Sequence, residues 1–143
     1  MSGNAGTQSL AVTVRVLSDE DLSGKQKFKF ILKELRVGFI NGLIVGTLAF
    51  LVIGIYVQFF EPTFVTTFGV SGFSVSACIG ISLLISMIIA SLDGTLIPIL
   101  FKKIGVDPAV ASGPLITTVN DLLAVIVYYG VSVIMLVNLL SIA

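Results

Sequence analysis

Two carboxylates stand inside long apolar stretches of this chain, and they are the residues best suited to do chemistry. Asp93 lies in the segment 90–95, and Asp121 closely follows Thr117 and Thr118. A carboxylate at the depth of a bilayer is costly unless it faces protein, water or a cation. The chain has one cysteine and no histidine, which excludes internal disulfides, soft-metal sites and histidine bases. The chemistry that remains is that of oxygen ligands.

Asp121 shares one face of a predicted helix with Pro114, Thr117 and Thr118, at i−7, i−4 and i−3. This face offers a carboxylate, two hydroxyls and, near the proline, backbone carbonyls freed by its missing N–H. These are the ligands that a hard cation prefers. The alternative is that Asp121 is protonated or bonded to a neighbouring helix, while both threonines return their hydroxyls to i−4 carbonyls. We favour cation binding because acid, hydroxyls and a predicted helix break coincide.

Asp93 precedes Pro98 by one to two helical turns, and three roles are open to it. It is a second metal ligand, a vestibule carboxylate that attracts cations, or a structural partner for another helix. An intramembrane enzyme with an aspartyl dyad of Asp93 and Asp121 is a further option. The two acids lie in segments of opposite direction with no accompanying active-site motif, so transport is favoured over catalysis.

The composition predicts the elements that position these acids. A chain with 56% hydrophobic and 11% charged residues lacks the polar shell that water requires. Segments 37–60, 72–101 and 108–143 each exceed the roughly 20 residues that span a bilayer as a helix. We predict an all-α, multi-pass transmembrane helical bundle with about three full spanning helices, plus an N-terminal partial helix over roughly 3–17. Pro98 and Pro114 are predicted to kink or break their segments.

The charges predict how these helices are oriented. All eight Lys and Arg residues lie before residue 37 or at positions 102–103. The positive-inside rule therefore makes 18–36 and 102–107 cytoplasmic, and the 61–71 loop and the C-terminus external, in a multi-pass protein of the cell membrane. The net charge of zero argues against a nucleic-acid partner and leaves the lipid bilayer as the surrounding partner.

Two local patterns concern the first spanning segment. The basic run 25–36 is either an amphipathic piece at the headgroups or an ordinary stop signal at a helix entrance. Gly38, Gly42 and Gly46 form a repeat of small residues four apart, which lets two helix backbones approach closely. The pattern does not say whether the second backbone belongs to the same chain.

At this point the residues resemble a known family, the membrane domain of MgtE-type magnesium transporters. The resemblance runs the length of the chain, and its most specific part is the stretch from Asp107-Pro108-Ala109 to Asp121. The residues that carry it are Gly3-Asn4-Ala5-Gly6-Thr7-Gln8-Ser9, Lys33-Glu34-Leu35-Arg36-Val37-Gly38, Pro98, Lys102-Lys103-Ile104-Gly105-Val106-Asp107-Pro108-Ala109-Val110-Ala111-Ser112-Gly113-Pro114 and Ile116-Thr117-Thr118-Val119-Asn120-Asp121.

The resemblance implies a homodimeric, Mg²⁺-selective, channel-like transporter with a pore at the dimer interface, lined by the N-terminal and last helices of this chain. By position, Asp121 matches the pore aspartate, and Asn4 falls in the pore-facing motif of the family's second helix. Thr117 falls one turn before the aspartate, and Asp107 matches the acidic residue at the start of the last helix. Mg²⁺ is thus the expected transported ion and ligand.

The resemblance also implies departures. Cytoplasmic regulatory domains, a first membrane helix and part of the second would precede Met1, so 1–143 corresponds to the C-terminal part of the membrane domain. Asp93 stands where the family is expected to have an apolar residue. A non-transporting module that dimerises with or scaffolds a full-length relative is the alternative function. The ligand set does not distinguish Mg²⁺ from Mn²⁺, Co²⁺ or Ca²⁺. It also does not distinguish a channel from a coupled transporter.

Overall fold

The computed structural model describes residues 1–19, 23–111 and 113–140, and within them every regular element is a helix. Residues 20–22, in the segment predicted to be cytoplasmic, and 141–143, at the C-terminus predicted to be external, lie outside this part of the chain. The elements are α1 (Ser2–Asp19), α2 (Gly24–Phe60), α3 (Pro62–Phe68), α4 (Gly72–Lys103), a short 3₁₀ helix (Pro108–Val110) and α5 (Gly113–Leu140).

Three of these helices, α2, α4 and α5, are long and apolar enough to cross a membrane. The shorter α1 matches the N-terminal partial helix expected over 3–17. The predicted all-α membrane bundle is therefore confirmed. The basic run 25–36 forms no separate helix, because α2 is continuous from Gly24. Its 37 residues extend for about 55 Å, which exceeds the hydrocarbon thickness of about 30 Å, so one end projects beyond it.

Several small and polar residues are buried in this bundle and many large apolar residues are exposed, the reverse of the usual distribution in a water-soluble protein. The most deeply buried side chains include small and polar ones, and their hydroxyls donate within their own helix: Thr13 Oγ1 to the Ser9 carbonyl at 2.6 Å, and Thr95 Oγ1 to the Ser91 carbonyl at 2.8 Å. Large apolar residues such as Leu48, Phe59 and Ile134 are exposed. This arrangement suits a surface in contact with lipid, because hydrocarbon solvates apolar side chains and leaves polar ones to pair internally.

Helix α4 is the centre of the bundle, with α1, α2 and α5 packed around it. The glycine repeat of α2 meets α4 of the same chain: a Cβ atom at Gly46 would lie 2.6 Å from the Gly80 carbonyl oxygen, and one at Gly42 would lie 2.9 Å from that of Leu84. The repeat therefore serves packing within one chain. Helices α1 and α4 cross still more closely, since a Cβ at Gly94 would collide with the carbonyl oxygen of Gly6.

The two prolines that were predicted to kink or break their segments occupy different positions in their helices. Pro98 lies inside α4, which continues to Lys103. Pro114 does not break a helix that starts at Pro108: a 3₁₀ turn occupies Pro108–Val110, and α5 begins at Gly113. The predicted segment 108–143 is thus interrupted just before Pro114, and its α-helix starts at Gly113 instead of Pro108. Pro114 fits the first turn because the first N–H groups of a helix have no intrahelical partner and a proline there removes no bond. The loop predicted over 61–71 also contains a short helix, α3.

Candidate metal centre

The candidate site is built on the contact between α1 and α5, which run in opposite directions. A Cβ atom at Gly3 would lie 3.0 Å from Thr117 Cγ2 and 3.4 Å from Asp121 Oδ1. One at Gly113 would lie 3.9 Å from Thr7 Cγ2. Gly3 and Thr7, one turn apart on α1, therefore lie beside Thr117 and Gly113, one turn apart on α5. Because Gly3 has no side chain, α1 passes directly beside the Asp121 carboxylate.

Asp121 is exposed on the outer side of this contact, and Thr117 beside it is half buried. The carboxylate opens into a cavity of about 380 Å³ between α4, α5 and the start of α1. Most of its lining is apolar or aromatic, including Met87 and Tyr128, and the serines that join Asp121 are Ser2, Ser82 and Ser86. The residues around the cavity therefore include a carboxylate and three serine hydroxyls, which are hard ligands.

The two threonines before Asp121 differ in their hydrogen bonding. Thr118 Oγ1 donates to the Pro114 carbonyl oxygen at 2.9 Å, which is the i−4 bond weighed in the sequence analysis. Its hydroxyl oxygen still has lone pairs to offer a cation. Within the part of the chain that the structure describes, the Thr117 hydroxyl makes no hydrogen bond. Thr117 is thus the more available ligand of the two.

Asn4 is exposed, but it lines a different cavity from Asp121. That cavity, of about 250 Å³, lies on the α2 side of α1 and also contains Gln8 and Asn41. Met1 lines both cavities, so they adjoin at the start of α1. One chain therefore does not bring Asn4 and Asp121 into a single pocket.

Asp107 lies away from both cavities. Its Oδ1 accepts a hydrogen bond from the Ala109 backbone N–H at 2.9 Å and thereby caps the 3₁₀ turn. It precedes this turn and not the last helix, which begins only at Gly113. The acidic position matched by the resemblance thus has a local structural task, and its carboxylate is exposed.

Asp93 and Asn120 hold the buried polar atoms that find no hydrogen-bond partner among the described residues. They are Asp93 Oδ2 and both polar side-chain atoms of Asn120. Asn120 is only 1% exposed, and its amide fills the notch left by Gly6. Asn120 was not predicted as a functional residue, because the charge of its neighbour Asp121 is the stronger signal in the sequence. The signal that points to Asn120 is Gly6, since a glycine on one helix makes room for a side chain on another.

No three of His, Cys, Asp and Glu gather closely enough within residues 1–19, 23–111 and 113–140 to hold a metal ion. A cation bound at Asp121 would therefore rely on neutral oxygens, on its own hydration shell, or on a carboxylate from a second chain. Mg²⁺ suits such a site, because it dehydrates reluctantly and keeps several waters when it binds one or two carboxylates.

Comparison with known proteins gives a consistent result. The MgtE family model, described as a divalent cation transporter, matches residues 1–131. The magnesium transporter MgtE of Bacillus subtilis (strain 168) is 39% identical over 132 residues, which is 92% of this chain and 26% of that protein. The magnesium transporter MgtE of Thermus thermophilus is 32% identical over 130 residues, 91% of this chain and 26% of that protein. The chain spans about a quarter of the length of these relatives.

Proposed function

Since the chain belongs to the MgtE family of divalent cation transporters, we propose that it forms part of a pathway for Mg²⁺ across a membrane, with Asp121 as the principal ion-binding carboxylate. The observation that carries the proposal is the exposed Asp121 carboxylate beside Gly3 on a helix that is apolar enough to span a bilayer. An ionised carboxylate facing lipid is unfavourable, whereas one facing a water-filled ion path is stabilised. The relatives named above are magnesium transporters.

We propose further that two copies of the chain enclose this path. The outward side of α1 carries Asn4, Gln8 and Arg15, all exposed, and α5 adds Thr118 and Asp121. A polar surface of this size within a membrane needs to be covered by something other than lipid. A two-fold axis would cover it with the same surface of a second copy. It would also bring two Asp121 carboxylates toward one axis and place Asn4 on the same path.

Of the other predicted ligands, Thr117 and Thr118 support Asp121 from the preceding turn in this proposal. Asp107 lies close in sequence to Lys102 and Lys103, in the segment proposed to be cytoplasmic. In this proposal its exposed carboxylate attracts cations at the membrane surface. Asp93 is assigned a supporting role, because its unpaired oxygen is buried in the bundle. The orientation follows from the positive-inside rule: 18–36 and 102–107 face the cytoplasm, and the C-terminus lies outside.

A second candidate function rests on the extent of the chain relative to its relatives. Because the matched region is about a quarter of their length, the chain alone would be a membrane module that dimerises with a full-length relative without conducting ions itself. In this proposal residues 1–143 correspond to the C-terminal part of the membrane domain of the family.

Flux measurements separate the two functions. The purified chain is reconstituted into liposomes that contain a Mg²⁺-sensitive dye, alone and mixed with a full-length relative. Conduction predicts Mg²⁺ entry with the chain alone and its loss in Asp121→Ala. The module function predicts no entry with the chain alone and altered flux in the mixture. Absence of Mg²⁺ binding, of flux and of any effect on the relative would overturn both.

A further inference from the structure

A second polar cleft lies on the other side of α1, between α1 and α2. These two helices pack on α4 rather than on each other, which leaves a gap with α4 as its back wall. The gap consists of the cavity that Asn4 lines, of about 250 Å³, and a further one of about 210 Å³. Both are lined by Ala5, Gln8 and Asn41, so they form one cleft.

Glu34 of α2 lines the inner part of this cleft and is only 5% exposed. Within the described part of the chain, its carboxylate makes no hydrogen bond and no ion pair. Its oxygens are not among the fully enclosed polar atoms of the described residues, so they open into the cleft. Because a largely buried charge without a protein partner is unfavourable, the cleft has to supply either water or a positive ion.

The register of α2 forces Glu34 into this position. Glu34, Gly38 and Gly42 lie four residues apart and share one helix face. A Cβ at Gly38 would lie 2.6 Å from Ser91 Oγ, so α2 is held tightly against α4 one turn away from Glu34. The contact that buries the glycines carries the glutamate in with them. Its burial follows from packing and is not a free choice of rotamer.

The cleft around Glu34 contains further residues with oxygen atoms. Besides Glu34, its inner part is lined by the amide residues Gln8 and Asn41 and by Ser9 and Ser91, together with apolar residues such as Val12 and Val37. One carboxylate with amide and hydroxyl oxygens is the ligand set of a hard, partly hydrated cation. It contains no sulfur or imidazole ligand that would favour a softer metal.

We propose that Glu34, Gln8 and Asn41 form a second divalent-cation site, in a cleft that Asp121 does not line. The choice of a divalent ion rests on the proposed function. Asn4 lines the outer part of the same cleft, so the site adjoins the polar outward side of α1. The cation neutralises the buried carboxylate, and the two amides orient it and its waters.

Lys33 is the competing source of positive charge, because it also lines the inner cavity. It precedes Glu34 directly, so its side chain leaves the helix about 100° around from the glutamate. Lys33 is exposed and borders a surface groove together with Lys29 and Arg36. Lys33 thus borders both the cleft and this groove, and within the described residues it makes no ion pair with Glu34.

Mn²⁺ binding followed by electron paramagnetic resonance tests the second site in the detergent-purified full chain. Four proteins are compared: the parent, Asp121→Ala, Glu34→Gln and the double variant. We expect Asp121→Ala to retain saturable Mn²⁺ binding and the double variant to lose it. Loss of all saturable binding in Asp121→Ala alone overturns the second site and leaves the proposed function standing. Absence of saturable binding in the parent overturns both.

Two further sets of variants keep the test independent of folding and of Lys33. Gln8→Leu and Asn41→Leu, each made in the Asp121→Ala background, retain the carboxylate and should weaken the remaining Mn²⁺ binding by about tenfold. Lys33→Gln in that background should leave binding unchanged or strengthen it, since a nearby positive charge is removed. If Lys33→Gln and Glu34→Gln instead show strong coupling in thermal stability and binding is absent, Lys33 is the partner of Glu34 and the site is disproved.

Discussion

Gly3 of α1 lies directly against Asp121 of α5: a Cβ atom at Gly3 would stand 3.4 Å from the Asp121 carboxylate oxygen and 3.0 Å from Thr117 Cγ2. The first distance is an ordinary contact and the second is tight. Any side chain at this position therefore reaches the candidate ion ligand and crowds the threonine that precedes it by one turn.

The first prediction concerns this contact. Gly3→Ala should lower Mg²⁺ affinity severalfold and Gly3→Val by more than about tenfold, because the larger side chain both separates the two helices and covers the carboxylate oxygen. Titration calorimetry gives the affinities. Gly24→Ala is the matched control, since a Cβ there meets nothing within 4 Å. An unchanged affinity in Gly3→Val would show that ions bind elsewhere.

The second prediction separates the two intramembrane acids. Asp121→Asn keeps the size of the side chain and removes its charge, an attraction of about 4 kcal/mol between unit charges 4 Å apart at an effective dielectric constant near 20. Loss of roughly 2.7 kcal/mol would weaken Mg²⁺ binding about a hundredfold.

Asp93→Asn serves as the control for that variant, and it should change Mg²⁺ affinity much less because the proposed ion site does not include Asp93. Both proteins are measured by titration calorimetry, and the comparison of flux uses a full-length relative if the chain alone does not conduct. Equal affinity in Asp121→Asn and the parent would refute the assignment of Asp121 and move attention to Asp93.

The third prediction concerns the crossing of α1 and α4. Gly94→Ala places a Cβ against the Gly6 backbone, which cannot move aside as a flexible side chain would. We expect a loss of stability of about 1–3 kcal/mol, measured as denaturant unfolding in detergent. Gly130→Ala, where a Cβ meets nothing within 4 Å, should be neutral or slightly stabilising because alanine favours helix formation. Equal stability of both variants would contradict the crossing.

The fourth prediction tests the orientation. Lys29→Cys should react with a membrane-impermeant thiol reagent only from the cytoplasmic side, and Thr67→Cys only from the outer side, after the native Cys78 is replaced by alanine. The physical reason is the retention of lysine-rich segments in the cytoplasm. Labelling of Lys29→Cys from the outer face alone would reverse the orientation.

The sequence predicted the helices well and their contacts less well. Hydropathy locates α2, α4 and α5 because a bilayer demands long apolar stretches, whatever their packing. The start of α5 was misplaced because Pro108 and Pro114 both suit a first helical turn, and only the structure shows which one begins the helix. The position of Asp121 on a helix next to two threonines was also accessible from spacing alone.

The burial of Glu34 and of Asn120 could not be predicted from the spacing of residues in the sequence. Glu34 stands among lysines and arginines, where a sequence pattern favours an exposed charge at the membrane surface. Its burial depends on the contact between Gly38 and Ser91, which lie far apart in the chain. Asn120 is buried because Gly6 makes room for it. Both depend on which small residue faces which neighbour, and periodicity within one helix does not contain that information.

The order in which the chain is synthesised differs from the order in which α1 can be completed. Lys102 Nζ donates at 2.8 Å to the carbonyl oxygen of Leu17, which is 85 residues earlier in the chain. At a synthesis rate of about 5–20 residues per second, roughly 4–17 seconds pass between the two. During that interval α1 lacks α4, the helix against which it packs most extensively. Its place in the bundle can therefore be fixed only after α4 has been made, although α2 and α3 are synthesised in between.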